Sequence, residues 1–381
     1  MKKNGVKSGT KPLSFYKYYR NNLKKTVTIT LALIFSVFMV IIFQSITYAV
    51  NEPTRLGDVG LTQNVTLIYP SDDGKIDNNL LESIKNNPLA DRLIPVYYLN
   101  TYYNHFFGTC NIMVLFPESN EFNYIFDKLK LKLIQGKMPQ PGKREIIIDY
   151  RLAKNKNKKL GDYIGKEVNP GEKIPGKFKV VGITDGSCIT CLSYADDGKI
   201  AGLKGLIAVP KENQLDKFNL EYKDTNDNKA NIWSKDKAEK RYNQNAQSLN
   251  KLFGIMSIAV IFVISFASGN SSYAQYFSRR YEFGILQSLG FTKAQILLRA
   301  AKEICLMNIT GFIGGIALGL GAGFVLGKTF FEPHGYPFVL LQQNALIKAV
   351  TIPVCTAIFG LIPAGWLLSK IDPLTVVEKF E

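Results

Sequence analysis

The sequence contains only two histidines and five cysteines, of which two form a CxxC motif. Two histidines, His105 and His334, lie far apart among 381 residues, and the CxxC of Cys188 and Cys191 has no second copy. Histidine-dependent hydrolases and zinc cages need several such side chains to converge. We therefore predict no catalytic, metal or cofactor site in this chain. The spacing of Cys188 and Cys191 is compatible with a local disulfide and equally with two free thiols.

Charged residues are absent from four long apolar windows. These windows cover residues 26–50, 252–278, 304–327 and 349–369, and contain 25, 27, 24 and 21 residues. A helix that spans a bilayer needs about 20 apolar residues, so each window is long enough. We therefore predict a membrane protein with four transmembrane helices, at residues 26–50, 249–273, 304–327 and 349–369. Because no window contains an ionisable side chain, the sequence argues against an ion-coupled transporter.

Basic residues are concentrated beside these windows. The net charge is +16, and residues 1–25 alone contain eight lysines and arginines with no acid. The connection 274–303 is also basic, whereas 328–348 is nearly neutral. Since basic flanks stay in the cytoplasm, we predict a multi-pass plasma-membrane protein with cytoplasmic segments at 1–25, 274–303 and 370–381 and an outer loop at 328–348. Membrane lipid, and not nucleic acid, is then the partner of the basic segment.

Residues 51–248 form one large polar block. Five runs rich in β-branched residues predict strands, at residues 65–69, 112–116, 145–149, 179–183 and 205–209. Helices are predicted at 76–84 and 121–134, and a solvated turn at 154–159. From residue 237 glycine and proline are absent until Gly254, which predicts one long helix rising from the second span as a stalk. The fold class is therefore four transmembrane helices plus a large α+β extracytoplasmic domain between helices 1 and 2.

Glycine recurs at every fourth position of the third window. Residues four apart share one ridge of a helix, and a ridge of small residues lets two helices approach closely in lipid. The pattern predicts a helix-packing face, used either for sliding or for static packing, at Gly311, Gly315, Gly319, Gly323 and Gly327.

The inner loop contains a short amphipathic segment, RYEFGILQSLG at residues 280–290. Gly290 is a normal helix C-cap, and a second helix is predicted to begin at 291–296. By itself the segment fits a helix lying on the membrane surface and also a helix that docks a partner.

These residues resemble a known family. RYEFGILQSLG is similar to the R-x-E-[IF]-G-[IL]-L-x-[AS]-L-G signature of the FtsX-like/MacB family of ABC transporter permeases, although Phe283 and Gln287 replace a commoner isoleucine and basic residue. DPLTVV at 372–377 resembles the family's closing segment. LIQGKMP at 133–139, EIIID at 145–149 and FKVVGI at 178–183 resemble its MacB-like core domain.

The resemblance implies a permease subunit that is not itself an enzyme. A separate ABC ATP-binding subunit would bind ATP and magnesium, and a second permease chain would complete a homodimer. The loop would be the coupling helix of the family, with docking residues at Arg280, Glu282, Phe283, Gly284, Leu286, Leu289 and Gly290.

The expected function is mechanotransmission, in which ATP hydrolysis in the partner moves the extracytoplasmic domain. The work would be export or extraction of peptides, lipoproteins or hydrophobic antimicrobials. Two alternatives stay open: an FtsX-like regulator that binds a cell-wall hydrolase as effector protein, and a toxin-sensing resistance permease.

Overall fold

The computed structural model describes residues 23–71, 74–105, 108–195, 203–223, 225, 229–340 and 342–370. Most of the basic N-terminal segment and the closing DPLTVV motif lie outside these residues. The chain divides into two compact units. The helical unit is Met1–Ile46, Lys251–Val325 and Val339–Glu381, and the domain unit is Thr47–Asn250 with Leu326–Phe338.

Four of the described helices are long and apolar enough to cross a membrane, which confirms the predicted number. In chain order the α-helices are α1 Leu23–Asp58, α2 Asn78–Lys85, α3 Phe122–Lys128, α4 Tyr150–Asn155, α5 Leu215–Glu221, α6 Lys235–Ser278, α7 Arg280–Ser288, α8 Lys293–Leu326 and α9 Gln343–Lys370. The four long ones are α1, α6, α8 and α9. As the lack of glycine and proline predicted, α6 begins well before its apolar window and is uninterrupted.

The domain unit is built on one mixed sheet, so the predicted α+β domain between the first two long helices is confirmed. Its described strands are β1 Thr66–Tyr69, β2 Ala90–His105, β3 Gly108–Pro117, β4 Lys132–Gly136, β5 Glu145–Asp149, β6 Tyr163–Ile164, β7 Phe178–Asp185, β8 Cys191–Leu192, β9 Leu203–Pro210 and β10 Asn231–Trp233. Their order is β10-β1-β9-β2-β3-β8-β5-β7-β4, with β6 beside β7. The pairs β3–β8 and β5–β7 are parallel.

The sheet separates two hydrophobic cores. Successive side chains of a strand point to opposite faces, so Leu67 and Ile207 pack in one core while Ile68 and Ala208 pack in the other. Helix α3 covers the first core, and α2 and α5 cover the second. Both faces are therefore buried in this part of the domain.

Three sequence predictions for the domain need correction. The longest strand, β2, was missed because Pro95 and a run of half-buried residues hide any alternation. The helix predicted at 121–134 ends at Lys128, since Lys130 adopts φ 53° and β4 begins at Lys132. The turn predicted as solvated at 154–159 buries Lys156, which forms an ion pair with Glu172.

Cys188 and Cys191 are free thiols in the structure, which is the second of the two alternatives that their spacing left open. Both are fully buried. Cys188 packs in the first core, while Cys191 lies on β8 opposite Val114 of β3 and Ile148 of β5. Burial raises the pKa of the Cys188 thiol to about 12, which keeps it protonated and unreactive.

The segment after α8 belongs to the domain unit. It continues as a π-helical turn, Gly327–Phe331, and a 3₁₀ turn, Glu332–His334. The Tyr336 hydroxyl donates to the carbonyl of Asn104 at 2.6 Å, and Asn155 donates to the carbonyl of His334 at 3.2 Å. Part of the outer loop predicted at 328–348 is thus fixed to the domain.

A buried ion pair joins β5, α4 and β7. Asp149 caps α4 by accepting from the Arg151 amide at 2.8 Å, and its two oxygens accept from the Arg151 guanidinium at 2.9 and 2.8 Å. The same guanidinium donates to the carbonyl of Gly186 at 3.0 Å. Asp149 is fully buried, so its charge depends on this one partner.

We expect Arg151→Met to lower the free energy of unfolding by about 3–5 kcal/mol, because it leaves the Asp149 carboxylate buried without a counter-charge. Arg92→Met is the matched control. Arg92 forms an exposed pair with Glu121, whose loss costs at most about 1 kcal/mol. Denaturant unfolding of the purified chain measures both, and equal losses would contradict the structural role of the buried pair.

Candidate coupling site

Helix α7 is a two-turn element fixed at its C-terminal end by glycine. Gly290 adopts φ 89°, which only glycine reaches without strain. The Gly290 amide donates to the carbonyl of Gln287 and the Phe291 amide to that of Leu286, both at 3.0 Å. This pair of bonds is a Schellman motif, so the chain must turn here.

The next helix begins with a capping box. The Thr292 amide donates to the Gln295 side chain at 2.9 Å, and the Gln295 amide donates to the Thr292 hydroxyl at 3.3 Å. Reciprocal bonds of this kind satisfy two free amides at a helix start. Together with the Schellman motif, they hold the short α7–α8 connection in one conformation.

One face of α7 is buried in the helical unit. Phe283 and Leu286 pack in a cluster with Tyr276 of α6, Ile296 of α8 and Leu367 of α9. Gly284 is buried beside them. The helix therefore touches all three long helices that follow the domain.

The opposite face of α7 is open. Leu289 is 70% exposed and Ile285 is 45% exposed. Arg280 and Glu282 are half-buried, and Gly290 is exposed. Of the seven residues predicted to dock a partner, the structure thus places Phe283, Gly284 and Leu286 inside the protein and the other four at least partly at its surface.

Two arginines and two glutamates form a closed ring of ion pairs around the start of α7. Arg279 donates to Glu282 at 2.8 Å and to Glu303 at 2.8 Å. Arg299 donates to Glu282 at 3.0 Å and to Glu303 at 3.3 Å. Each charge therefore has two opposite neighbours. The ring ties the residue that precedes α7 and the first turn of α7 to the second and third turns of α8.

The ring is largely shielded from water. Only Glu282 has an appreciably exposed side chain, at 41%. Burial alone would raise the pKa of Glu282, but the hydrogen bond and charge of Arg279, and then those of Arg299, outweigh it and lower the pKa below its ordinary value of 4.5. Glu282 therefore stays ionised and keeps its arginine partners.

The sequence did not reveal this ring. Arg279, Arg299 and Glu303 were assigned only to a basic loop, because a charge count does not show which charges meet. Two local signals were present: Arg279 and Glu282 are three apart, and Arg299 and Glu303 are four apart, both spacings that place side chains together on a helix. The pairing of Arg279 with Glu303 joins different helices and depends on tertiary structure.

The glycine ridge of α8 faces α1. A Cβ built on Gly311 would lie 2.7 Å from the Cβ of Leu33, and one on Gly315 would lie 2.5 Å from the Cβ of Val37. At Gly319 the nearest atoms, of Ile41, are 3.3 Å away. These three glycines therefore permit a close approach that a larger residue would prevent.

The last two predicted glycines face other segments. A Cβ on Gly323 would lie 2.1 Å from a methyl carbon of Leu340, and one on Gly327 would lie 3.0 Å from the ring of Phe338. Both segments follow the helix in sequence. The ridge thus packs against α1 for about half its length and against the returning chain for the rest.

No group of three or more His, Cys, Asp or Glu side chains in the described part of the chain could hold a metal ion. The site itself consists of an exposed apolar face, formed by Ile285 and Leu289, and an ion-paired base.

Among known protein families, the one described as FtsX-like permease C-terminal has a model that matches residues 254–373. No curated protein matches the chain. Among solved structures the chain is similar to the periplasmic region of MacB from Actinobacillus actinomycetemcomitans, with 13% identity and a TM-score of 0.29 over 48% of this chain and 94% of that one. It is also similar to the extracellular domain of the noncanonic ABC-type transporter YknZ from Gram-positive bacteria, with 13% identity and a TM-score of 0.26 over 41% and 88%.

We expect the stabilisation due to Glu282 to disappear in acid. Because the pKa of Glu282 is lowered in the folded state, its contribution is complete above the ordinary value of 4.5 and is lost as pH falls through the folded-state pKa. Glu282→Gln should therefore lower the unfolding temperature at neutral pH, and the gap to the wild type should narrow as the pH falls below 4.5 and through the folded-state pKa. A gap that is constant with pH would refute the ion-pair assignment.

We expect Gly315→Ala to destabilise the helical unit, because its methyl group would overlap Val37 and push α1 and α8 apart at a cost of about 1–3 kcal/mol. Gly321→Ala is the matched control, since a Cβ there meets no atom within 4 Å. Alanine should be neutral or slightly stabilising at 321 through its higher helix propensity. Thermal unfolding in one detergent compares them, and equal shifts would contradict the packing role of Gly315.

Proposed function

We propose that the whole chain is the permease subunit of an ABC transporter. Residues 254–373 match the FtsX-like permease C-terminal model, which confirms the predicted resemblance and supports this proposal. Permeases of this family act with an ATP-binding partner. The proposed role of α7 is to dock that partner and to pass its motion to the long helices. The observation that carries the proposal is the attachment of α7 on one side by the ion-pair ring and the apolar cluster, with its other side free.

The docking surface is proposed to consist of the exposed residues Ile285, Leu289 and Gly290 together with the half-buried Arg280. Exposed leucine and isoleucine on an amphipathic helix are suited to an apolar groove of a partner. Phe283, Gly284 and Leu286 are buried, so we assign them a positioning role: they fix the orientation of α7 and do not touch the partner.

Transmission is proposed to work through rigid attachment. A displacement of α7 would strain the ring at Glu303 and the cluster at Tyr276, Ile296 and Leu367, so α6, α8 and α9 would follow it. Two features support passage of that motion to the domain. Helix α6 is uninterrupted from Lys235 to Ser278, and the segment after α8 is hydrogen-bonded to Asn104 and Asn155.

The proposed topology, oligomeric state and cargo rest on the distribution of charge and on the resemblance to the permease family. The basic loop around α7 supports a cytoplasmic position for it, with both termini cytoplasmic and the sheet domain outside. A second permease chain is proposed to complete a homodimer, with ATP and magnesium bound in the ATP-binding subunits. The core-domain motifs at 133–139, 145–149 and 178–183 favour mechanotransmission for export or extraction of peptides, lipoproteins or hydrophobic antimicrobials.

We expect Leu289→Asp to abolish co-purification of the ATP-binding subunit, because a carboxylate in an apolar groove would be desolvated without a partner. The chain is tagged, purified from its native membrane in mild detergent, and its companions are identified by mass spectrometry. Leu220→Asp is the matched control, since Leu220 is 67% exposed on the domain, on helix α5.

The expected result is one stoichiometric ATP-binding subunit with the wild type and with Leu220→Asp, and none with Leu289→Asp. If no ATP-binding subunit accompanies the wild type, the permease assignment fails. If Leu289→Asp retains the subunit, the permease assignment stands and the docking surface lies elsewhere.

A further inference from the structure

A cavity of about 290 Å³ lies within the domain unit, beside the last turn of α1 and the first turns of α6. Gly57 and Asp58 line it from α1, and Arg241 lines it from α6. The sheet contributes aromatic and apolar side chains from β1, β2, β3 and β10. Ligand pockets for small molecules begin at about this size.

Three aromatic rings form the apolar wall of this cavity. The rings of Tyr69 and Tyr98 lie 4.5 Å apart, and Trp233 stands on the neighbouring strand β10. The Tyr69 hydroxyl donates to the sulfur of Met113 at 3.5 Å. Burial raises the pKa of Tyr69 well above its ordinary value, so this wall stays uncharged.

Two opposite charges line the same cavity: burial raises the pKa of Asp58, and the nearby charge of Arg241 partly offsets that rise. Asp58 is half-buried, and its carboxylate has no hydrogen bond and no basic nitrogen within 4 Å among the described residues. The guanidinium of Arg241 lies over the ring of Trp233, at 5.1 Å from its centroid. A partly desolvated carboxylate that accepts no hydrogen bond is unfavourable, so an ammonium group that donates to it would stabilise it.

A second cavity, of about 340 Å³, shares Asp58, Asn111 and Arg241 with the first. The two charges therefore stand between an aromatic cavity and a more polar one. In the polar cavity the Nδ1 atom of His105 is buried without a hydrogen-bond partner among the described residues. The shared charges are thus reachable from both sides.

We propose that this paired cavity binds a small zwitterionic molecule with an apolar side chain, of the class of a short peptide. Its ammonium group binds Asp58, its carboxylate binds Arg241, and its apolar side chain packs against Tyr69, Tyr98 and Trp233. A ligand with only one charge would gain one contact and be repelled at the other. The site deepens the proposed function and rests on it, since peptides are among the proposed cargoes. Binding there needs neither ATP nor a second protein, so its failure would leave the permease assignment standing.

The intrinsic fluorescence of Trp233 is a direct test. The chain has two tryptophans, so Trp366→Phe leaves Trp233 as the single tryptophan, whose emission is excited selectively over that of the tyrosines. The full chain in detergent is titrated with phenylalanylglycine, which carries both charges, with phenylalanine amide, which carries only the ammonium, and with N-acetylphenylalanine, which carries only the carboxylate. We expect a saturable change with the dipeptide and binding about tenfold weaker for each single-charge probe, which loses one charged hydrogen bond.

Asp58→Asn in the same background tests the ammonium contact. It should weaken the dipeptide about tenfold and leave the affinity for N-acetylphenylalanine unchanged or higher, since the repulsive charge is gone. Glu82→Gln, an exposed change on α2, is the matched control and should change neither affinity. An unchanged unfolding temperature of Asp58→Asn verifies that the variant is folded, and Arg241→Gln tests the other charge if it is not.

Two results would overturn the proposal. One is the absence of any saturable change with the dipeptide up to its solubility limit, and the other is equal dipeptide affinity for the wild type, Asp58→Asn and Arg241→Gln. Dihexanoyl phosphatidylethanolamine carries the same two charges on a lipid headgroup. Binding of that lipid without binding of the dipeptide would refute a peptide ligand and assign the cavity to lipid.

Discussion

The closed ring of Arg279, Glu282, Arg299 and Glu303 is the interaction on which the helical unit depends. Charges in a poorly hydrated place are unfavourable alone, and here each is stabilised by two opposite neighbours at 2.8 to 3.3 Å. Because a ring has no free end, its members cannot separate one at a time without leaving a charge unpaired. The orientation of α7, and with it the exposure of Leu289, follows from that constraint. The buried cluster around Phe283 then gives the same orientation an apolar base.

The domain unit applies the same principle with fewer charges. Its sheet is held by two cores, and the buried pair of Asp149 with Arg151 joins a strand end to the following helix, while Lys156 pairs with Glu172 nearby in the chain. The cavity at Asp58 differs, since Asp58 and Arg241 both line it and no ion pair within 4 Å joins them among the described residues. The hydrogen-bonding capacity of both groups is therefore available to a ligand. Both α1 and α6 contribute residues to this domain and to the apolar spans, and α6, which lines the cavity through Arg241, is one of the helices that the proposed mechanism moves.

Features encoded locally could be predicted, and features made by distant residues could not. A long charge-free window is enough to predict a transmembrane helix, because lipid requires every residue in the span to be apolar and its backbone to be hydrogen-bonded within the helix. Gly290 marks the end of α7 because its backbone conformation is a local property. The sequence could not show which face of α7 is buried, since Phe283 and Leu289 are both apolar and only the neighbours Tyr276 and Leu367 distinguish them. Strand β2 was hidden for the same reason: its pairing with β3 and β9 on both sides overrides weak local alternation.

The ring also constrains how this chain can change during evolution. Loss of any one of its four charges leaves the ring with one uncompensated charge, so single substitutions there are penalised, whereas neutral replacement of one arginine together with one glutamate keeps the ring balanced. Arg279 and Glu303 lie 24 positions apart and are bonded at 2.8 Å, so they are expected to covary across related permeases. A relative with acids at both arginine positions and arginines at both glutamate positions would preserve the alternation of charge. In such a relative, α7 would keep its position although all four charges of the ring have the opposite sign.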